Sequence, residues 1–274
     1  MERFPHLIVP HFKGMVNEPD PAYECLLTGR DASGKRLSEV EVHRALESCP
    51  SLELVQDVRR ALFAASMAVQ RQEAYGVSSP QLFSPEGCVH RVGDRAVRGA
   101  QLFQEIWNGE LLPQEVRAKL APPVVEYYSD CTSREVSSVL AHLAEEGKAE
   151  VITDAYHVNR SQELYDARQS PRQTVRVAAP EAVLSELVDT PHLPEYFRAL
   201  LHFGSRTITE RLEKEGVNDK EQKDERKYRL LQMCGRRVEE GLAAFLRSDK
   251  RLLPQLFRSG LSVAQREGLP DRTR

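Results

Sequence analysis

The sequence predicts a mainly α-helical protein with a small β component. Apolar residues recur at spacings of three and four in several segments, as they do on the buried face of a helix. Two segments also carry the Ser/Thr-x-x-Glu pattern of a capping box, at residues 38–41 and 132–135. Strand-like alternation is confined to short stretches such as Val175 and Val177, so we expect no strand–helix alternation of the kind that builds a parallel sheet.

Residues 1–94 are predicted to form an N-terminal helical region. The capping box at Ser38 predicts a helix of roughly ten residues. Ser51 then caps a longer helix, and residues 76–94, which are rich in Gly and Pro, predict a loop with a short strand at 88–92. The buried stripe of the longer helix is expected to consist of Leu54, Val58, Leu62, Ala65 and Val69.

Residues 95–160 are predicted to form a winged-helix-like module. Short helices are followed by a turn, a longer helix from Thr132, a stop at Gly147 and two short strands at 149–152 and 155–158. That is the order of elements in a winged helix. A helical hairpin followed by a β-turn explains the same residues, and the pattern does not decide between the two.

The remaining residues divide into a linker and a basic helical region. Residues 161–180 predict a linker or one additional strand, and residues 181–274 predict helices. Within them, residues 220–274 hold 14 basic and 8 acidic side chains, which favours an anionic partner for this end of the chain. One helix there carries an apolar stripe that suits packing within the chain, on a protein partner or on a second copy: Leu231, Val238, Leu242 and Phe245.

No segment carries a decisive catalytic or metal-binding motif. Residues 29–36 approach the phosphate-binding pattern G-x-x-x-x-G-K-[ST], but Arg36 stands where a magnesium-binding hydroxyl is needed. A polar turn built on Asp31 and Gly34 explains the segment better. The eight histidines are dispersed and no G-x-S-x-G sequence is present. We therefore expect no cofactor, no metal and no enzymatic activity.

Composition predicts a soluble cytoplasmic protein. The 274 residues include 38 Lys and Arg and 41 Asp and Glu, for a net charge of -3. No apolar run approaches the roughly 20 residues that span a membrane. The five cysteines form no C-x-x-C pair, which suits free thiols in a reducing compartment.

The predicted function is DNA binding or association with DNA, without catalysis. The helix from Thr132 would act as the recognition helix, with the hairpin and the basic tail adding phosphate contacts. Residues 121–180 hold 6 basic and 9 acidic side chains, which argues against DNA and favours the alternative of a structural or adaptor subunit that docks proteins. A nucleotide-dependent enzyme using residues 29–36 is the least favoured hypothesis. The candidate DNA-contacting residues are Ser133, Arg134, Ser137, Lys148, Arg160, Lys223, Arg226, Lys227, Arg236 and Arg237.

Overall fold

The computed structural model describes residues 2–12, 21–49, 52–75, 80–86, 89–92, 95–129, 132–190, 193–195, 197–199, 201–202 and 225. The chain divides into two compact units, residues 1–216 and residues 217–274. All of the elements named below belong to the first unit.

Strands and helices alternate along the first unit. In chain order the elements are β1 (Phe4–Pro10), α1 (Pro21–Thr28), α2 (Glu39–Ser48), α3 (Leu52–Tyr75), β2 (Gln81–Glu86), β3 (Val89–Val92), β4 (Arg95–Arg98), α4 (Gly99–Asn108), α5 (Gln114–Arg117), β5 (Val124–Ser129), α6 (Thr132–His142), β6 (Leu143–Ile152), α7 (Ala155–Asp166), β7 (Thr174–Ala178) and α8 (Pro180–Val188).

Five of the strands form one parallel sheet in the order β5-β2-β1-β6-β7. The chain first moves outward from β1 through β2 to β5, and then returns to the other side of β1 with β6 and β7. The direction of winding therefore reverses between β1 and β6, where Val9 pairs with Val151 and Pro10 with Ile152. This is the doubly wound α/β arrangement, in which helices cover both faces of the sheet. Strands β3 and β4 form a separate antiparallel pair.

The predicted mainly α-helical fold with a central winged helix is therefore wrong, as is the expectation that a parallel sheet is lacking. Gly147, the predicted helix stop, lies inside β6, and residues 149–152 are part of that strand of the sheet rather than a wing. Residues 155–158 begin α7 instead of a second wing strand. The physical reason is that strands buried on both faces are short apolar runs without alternation, which periodicity does not separate from helix segments.

The predicted loop at residues 76–94 is also wrong in part, because it contains the sheet strand β2. Pro85 lies near the end of this strand, and a proline inside a run normally argues against a central strand. The short strand expected at residues 88–92 is confirmed as β3. The strand considered for residues 161–180 is confirmed as β7.

Helices with strong local signals are where the sequence predicts them. In α2 the Ser38 hydroxyl accepts a hydrogen bond from the Glu41 amide, and the Glu41 carboxylate accepts one from the Ser38 amide at 2.7 Å. All five predicted stripe residues of α3 are buried, and this helix packs against β1, β2 and α8. Within the described residues, no helix has the length and apolar character that a membrane span requires.

Candidate functional site

Polar side chains concentrate at the carboxyl ends of β1 and β6, where the winding of the sheet reverses. His11 directly follows β1, and Thr153 and Asp154 directly follow β6. The main-chain N–H of His11 donates a hydrogen bond to the Ile152 carbonyl at 2.9 Å and joins the two strand ends. We name this group the switch-point cluster; its members, all nine-tenths buried or more, are His11, Thr132, Glu135, Thr153, Asp154, His157 and Arg160.

His11 is held between α6 and α7. Its Nδ1 lies 3.8 Å from the Glu135 carboxylate, and its Nε2 lies 3.3 Å from the Tyr165 hydroxyl. The imidazole ring of His11 and the phenol ring of Tyr165 stack, with their centroids 6.3 Å apart. Burial raises the pKa of Tyr165 well above its ordinary value, and the nearby Glu135 charge raises it further. Tyr165 therefore stays protonated at neutral pH, while Glu135 brings a carboxylate into the cluster.

The first turns of α6 and α7 meet around His157. This side chain is fully buried, and its Nε2 lies 3.4 Å from the Thr132 hydroxyl at the start of α6. Arg160, one turn further along α7, places a guanidinium nitrogen 3.0 Å from His157 Nδ1 and 3.4 Å from the Thr132 hydroxyl. The Arg160 cation and the hydrogen-bonding side chains of His157 and Thr132 thus lie together near the starts of α6 and α7.

Asp154 is the N-cap residue of α7, yet its side chain makes no capping hydrogen bond. Its carboxylate instead accepts hydrogen bonds from the Arg60 guanidinium and, at 2.9 Å, from the Tyr156 hydroxyl. Arg60 also donates to Asp57 within α3. Burial alone would lower the pKa of Arg60, but the charges of Asp154 and Asp57 outweigh it and raise the pKa above its ordinary value. Arg60 therefore stays charged, and the Asp57 and Asp154 carboxylates share its single positive charge.

Two hydroxyls of this region are fully buried without a hydrogen-bond partner among the described residues, those of Thr153 and Ser161. A buried hydroxyl that lacks its hydrogen bond costs about 1–3 kcal/mol, so such groups are uncommon in a folded core. Thr153 lies immediately before α7, and Ser161 lies on the buried face of the same helix. The residues described include no group of three or more His, Cys, Asp or Glu side chains that could hold a metal ion.

The predicted DNA-contacting residues are divided between this site and the surface. Arg160 belongs to the switch-point cluster, and Ser133 is fully buried with its hydroxyl and carbonyl accepting hydrogen bonds from Arg168. Arg134 and Ser137 are exposed on α6. Lys148 lies within β6 and contacts the Glu150 carboxylate at 2.6 Å. The remaining candidates lie outside the described residues: Lys223, Arg226, Lys227, Arg236, Arg237, and the apolar Leu231, Val238, Leu242 and Phe245.

Of the switch-point cluster, only Arg160 is among the site residues that the sequence predicts. His11 and His157 are two of the eight dispersed histidines, and Thr153 and Asp154 lie between the two predicted wing strands. The sequence does hold a usable signal: a polar residue directly follows an apolar run at the end of β1, where His11 follows Leu7–Pro10, and at the end of β6, where Thr153 follows Val151 and Ile152. That signal has meaning only when both runs are recognised as parallel strands, since the carboxyl ends of such strands share one edge.

Residues 29–36 form the polar turn that the sequence predicts. The Asp31 carboxylate accepts hydrogen bonds from the main-chain N–H groups of Ser33 and Lys35, at 2.9 and 3.0 Å. Gly34 has a φ of 82° and donates its N–H to the Asp31 carbonyl. These hydrogen bonds explain the Gly-rich segment as a local turn.

The chain was compared with protein-family models, with curated proteins and with solved structures, and none of the three comparisons found a match.

Proposed function

We propose that this chain binds a small polar ligand at the switch-point cluster. The observation that carries the proposal is a coincidence of two independent features. The strand order reverses between β1 and β6, and the carboxyl ends of those two strands hold the buried cluster of ionisable and hydroxyl side chains. In open α/β sheets, ligands bind outside the carboxyl ends of the strands at such a reversal.

The energetic cost of the cluster supports the same function. A core gains stability from apolar side chains, whereas each buried charge or unsatisfied hydroxyl has a desolvation cost. Three charged side chains of the cluster are nearly inaccessible to solvent: Glu135, Asp154 and Arg160. The same cluster holds two buried histidines and the Thr153 hydroxyl, which has no hydrogen-bond partner among the described residues. Ionisable groups concentrated at the carboxyl ends of neighbouring strands are typical of a binding or catalytic site rather than of a purely structural core.

The test is a thermal unfolding screen of the full chain against small polar compounds. The panel contains neutral sugars and nucleosides, their phosphates, amino acids and dicarboxylates. At least one compound is expected to raise Tm in a concentration-dependent manner, because a ligand at about 100 times its Kd adds about 2.7 kcal/mol to the free energy of unfolding.

A pair of variants locates the bound compound. Glu135→Gln changes a buried carboxylate of the cluster, whereas Glu145→Gln makes the same change at a side chain that is 71% exposed. The stabilisation is expected to fall in Glu135→Gln and to persist in Glu145→Gln. A panel without any stabilising compound, or equal stabilisation of both variants, would contradict the proposal.

DNA binding stays a prediction. Residues 95–160 do not form the winged helix on which it depended, so its remaining support is the basic excess of residues 220–274. Fluorescence anisotropy with duplex DNA at about 50 and 200 mM salt tests it, because a protein that neutralises several phosphates loses orders of magnitude in affinity between these conditions. The adaptor hypothesis, in which a winged helix and the C-terminal amphipathic helix dock proteins, loses the winged helix as well. Its remaining support is the acidic excess of residues 121–180 and the apolar stripe of the tail, and it stays a prediction.

A further inference from the structure

The last residue of α6, His142, joins this helix to β5. Its imidazole Nε2 lies 3.2 Å from a carboxylate oxygen of Glu126, which is in β5. Its Nδ1 lies 2.9 Å from the main-chain carbonyl oxygen of Ser138, one turn earlier in α6. The other carboxylate oxygen of Glu126 accepts a hydrogen bond from the Ser138 hydroxyl. We name these three residues, Glu126, Ser138 and His142, the α6 latch.

Both nitrogens of the His142 ring face atoms that can only accept hydrogen bonds. A carbonyl oxygen accepts, and so does each oxygen of an ionised carboxylate. A neutral imidazole has one N–H, so in either tautomer its second nitrogen directs a lone pair at one of these oxygens. An imidazolium has two N–H groups and can donate to both. The geometry therefore suits the protonated ring, and loss of the proton removes one of its two hydrogen bonds.

The surroundings of His142 make that hydrogen bond costly to lose. The His142 side chain is 8% exposed, and the Phe83 ring of β2 lies against it, with the two ring centroids 4.6 Å apart. Water therefore has little access to replace a lost partner, and a buried polar atom without a partner is destabilising. His142 also stands at the C-terminal end of α6, where the helix dipole favours a positive charge.

Within the described residues, Glu126 is the ionisable group that contacts His142. β2 contributes the Phe83 ring, and α6 itself contributes the Ser138 carbonyl. α7 and β6 also pack against α6, but none of their described ionisable side chains forms a hydrogen bond or an ion pair with His142. Carboxylates are ordinarily ionised above about pH 5, whereas imidazoles ordinarily lose their proton between about pH 5 and 8. Over that range the charge that changes in the latch is therefore that of the histidine.

We propose that the α6 latch is a pH-sensitive switch, in which protonated His142 fixes the C-terminal end of α6 to β5 and loss of the proton releases it. The stabilisation is present at low pH and is lost as pH rises through the range in which histidine titrates. α6 also carries Thr132 and Glu135 of the switch-point cluster, but the latch is at the opposite end of the helix. The inference therefore does not depend on a ligand.

A double-mutant cycle of the full chain measures the coupling between His142 and Glu126. The variants are Glu126→Gln, His142→Phe, which keeps a ring against Phe83, and the double mutant, each unfolded in urea at about pH 5.5 and about pH 8.5. We expect a coupling of about tenfold in the unfolding equilibrium constant at the lower pH and of about twofold or less at the higher pH. The control is the same cycle with Arg30→Gln and Glu110→Gln. This ion pair should show equal coupling at both pH values, because arginine keeps its charge throughout.

Hydrogen exchange of the wild type tests the release itself and does not require that His142→Phe folds. The protection of the main-chain amides of β5 and of the last turn of α6 is corrected for the intrinsic exchange rate and compared with that of α3. Between the lower and the higher pH it should fall about tenfold more than the protection of α3. In Glu126→Gln this additional pH dependence should be absent.

NMR of the imidazole nitrogens in isotope-labelled protein gives the same coupling from the side of the proton. At about pH 7, Glu126→Gln should lower the ratio of protonated to neutral His142 about tenfold, because a coupling between two groups is reciprocal.

Three results would each overturn the inference. The first is a coupling between His142 and Glu126 that is the same at both pH values. The second is protection of β5 and α6 that changes with pH no more than that of α3. The third is an unchanged protonation ratio in Glu126→Gln, since the carboxylate would then not hold the proton.

Discussion

Arg60 in α3 and Asp154 at the end of β6 form a buried hydrogen-bonded ion pair, although they are 94 positions apart in the chain. Both side chains are almost inaccessible to solvent, and Asp57 binds the same guanidinium from within α3. The pair fixes α3 to the carboxyl end of β6. It also keeps the Asp154 carboxylate away from the first turn of α7.

Replacing Arg60 with methionine tests this role. Arg60→Met leaves two buried carboxylates without their cation, so we expect the free energy of unfolding to fall by about 3–5 kcal/mol. Urea denaturation followed by circular dichroism measures the change. The control is Arg172→Met, whose surface ion pairs contribute less than about 1 kcal/mol. A loss in Arg60→Met no larger than that of the control would contradict the structural role of the pair.

The sequence predicted the helices whose signals are local. The capping box of α2 uses residues three positions apart, and the stripe of α3 repeats every three or four positions, so both signals are contained in one segment. The sheet is different. β1 and β6 are paired although Val9 and Val151 are far apart in the chain, and the polar side chains at the start of β6, such as Glu145 and Glu146, conceal its buried end.

The site was missed for the same reason. His11 and Glu135 come together only because β1 and α6 are neighbours in the fold, and no spacing within one segment indicates that contact. Arg160 was identified as a candidate for a different reason, as a basic residue beside a supposed wing. The site is assembled from three separate parts of the chain: the end of β1, the start of α6, and the segment that joins β6 to α7. Such a site is predictable only after the strand order is known.

The buried carboxylate of Glu150 predicts a pH dependence of stability. Its side chain is 2% exposed and contacts Arg71 at 3.0 Å, Lys148 at 2.6 Å and His6 at 3.6 Å. Burial would raise the pKa of Glu150, but these three partners lower it to about 2, from an ordinary value of 4.5. Because the folded pKa is below the unfolded one, the stabilisation is complete above about pH 5 and is lost as pH falls towards 2.

Glu150→Gln removes this titrating group. We expect the variant to lose about 2 kcal/mol relative to wild type at pH 7, and to lose progressively less as pH falls from about 5 to 2. Urea denaturation at a series of pH values measures the difference between the two proteins. The control is Glu146→Gln at an exposed position of the same strand, where the difference should stay near zero. A difference for Glu150→Gln that does not change with pH would contradict the lowered pKa.

Two glycines with similar backbone angles are predicted to differ in their tolerance of a side chain. Gly29 has a φ of 69° and Gly34 a φ of 82°, so alanine is strained at either position by about 1–2 kcal/mol. At Gly34 an added Cβ meets no atom within 4 Å, whereas at Gly29 it would lie 2.5 Å from the Leu111 main-chain nitrogen. Gly29→Ala should therefore lower Tm by several degrees more than Gly34→Ala. Calorimetry measures both changes in Tm. Equal changes would show that the contact between a Cβ at position 29 and the Leu111 main chain does not affect stability.

The outer edge of β7 is covered by glutamine side chains, which predicts an effect on aggregation. The Gln162 amide donates to the Val175 carbonyl at 2.9 Å and accepts from the Val177 N–H at 2.8 Å, while the Gln169 amide oxygen accepts from the Val175 N–H at 3.0 Å. These bonds occupy main-chain groups of β7 that would otherwise be open to an added strand.

Gln162→Leu keeps the approximate size of the side chain but removes both of its hydrogen bonds to β7, together with the one that it donates to Asp166 at 2.8 Å. The free energy of unfolding is expected to fall by about 1–3 kcal/mol, because a main-chain donor and acceptor are left without a partner. Light scattering at increasing protein concentration should reveal self-association of the variant, since β7 then offers an edge for pairing with a second chain. Gln104→Leu makes the same chemical change at an exposed position of α4, where the side chain accepts a hydrogen bond from Tyr127 of β5, at the opposite edge of the sheet from β7. If both variants associate equally, added surface hydrophobicity is the cause, and the glutamines do not protect the edge.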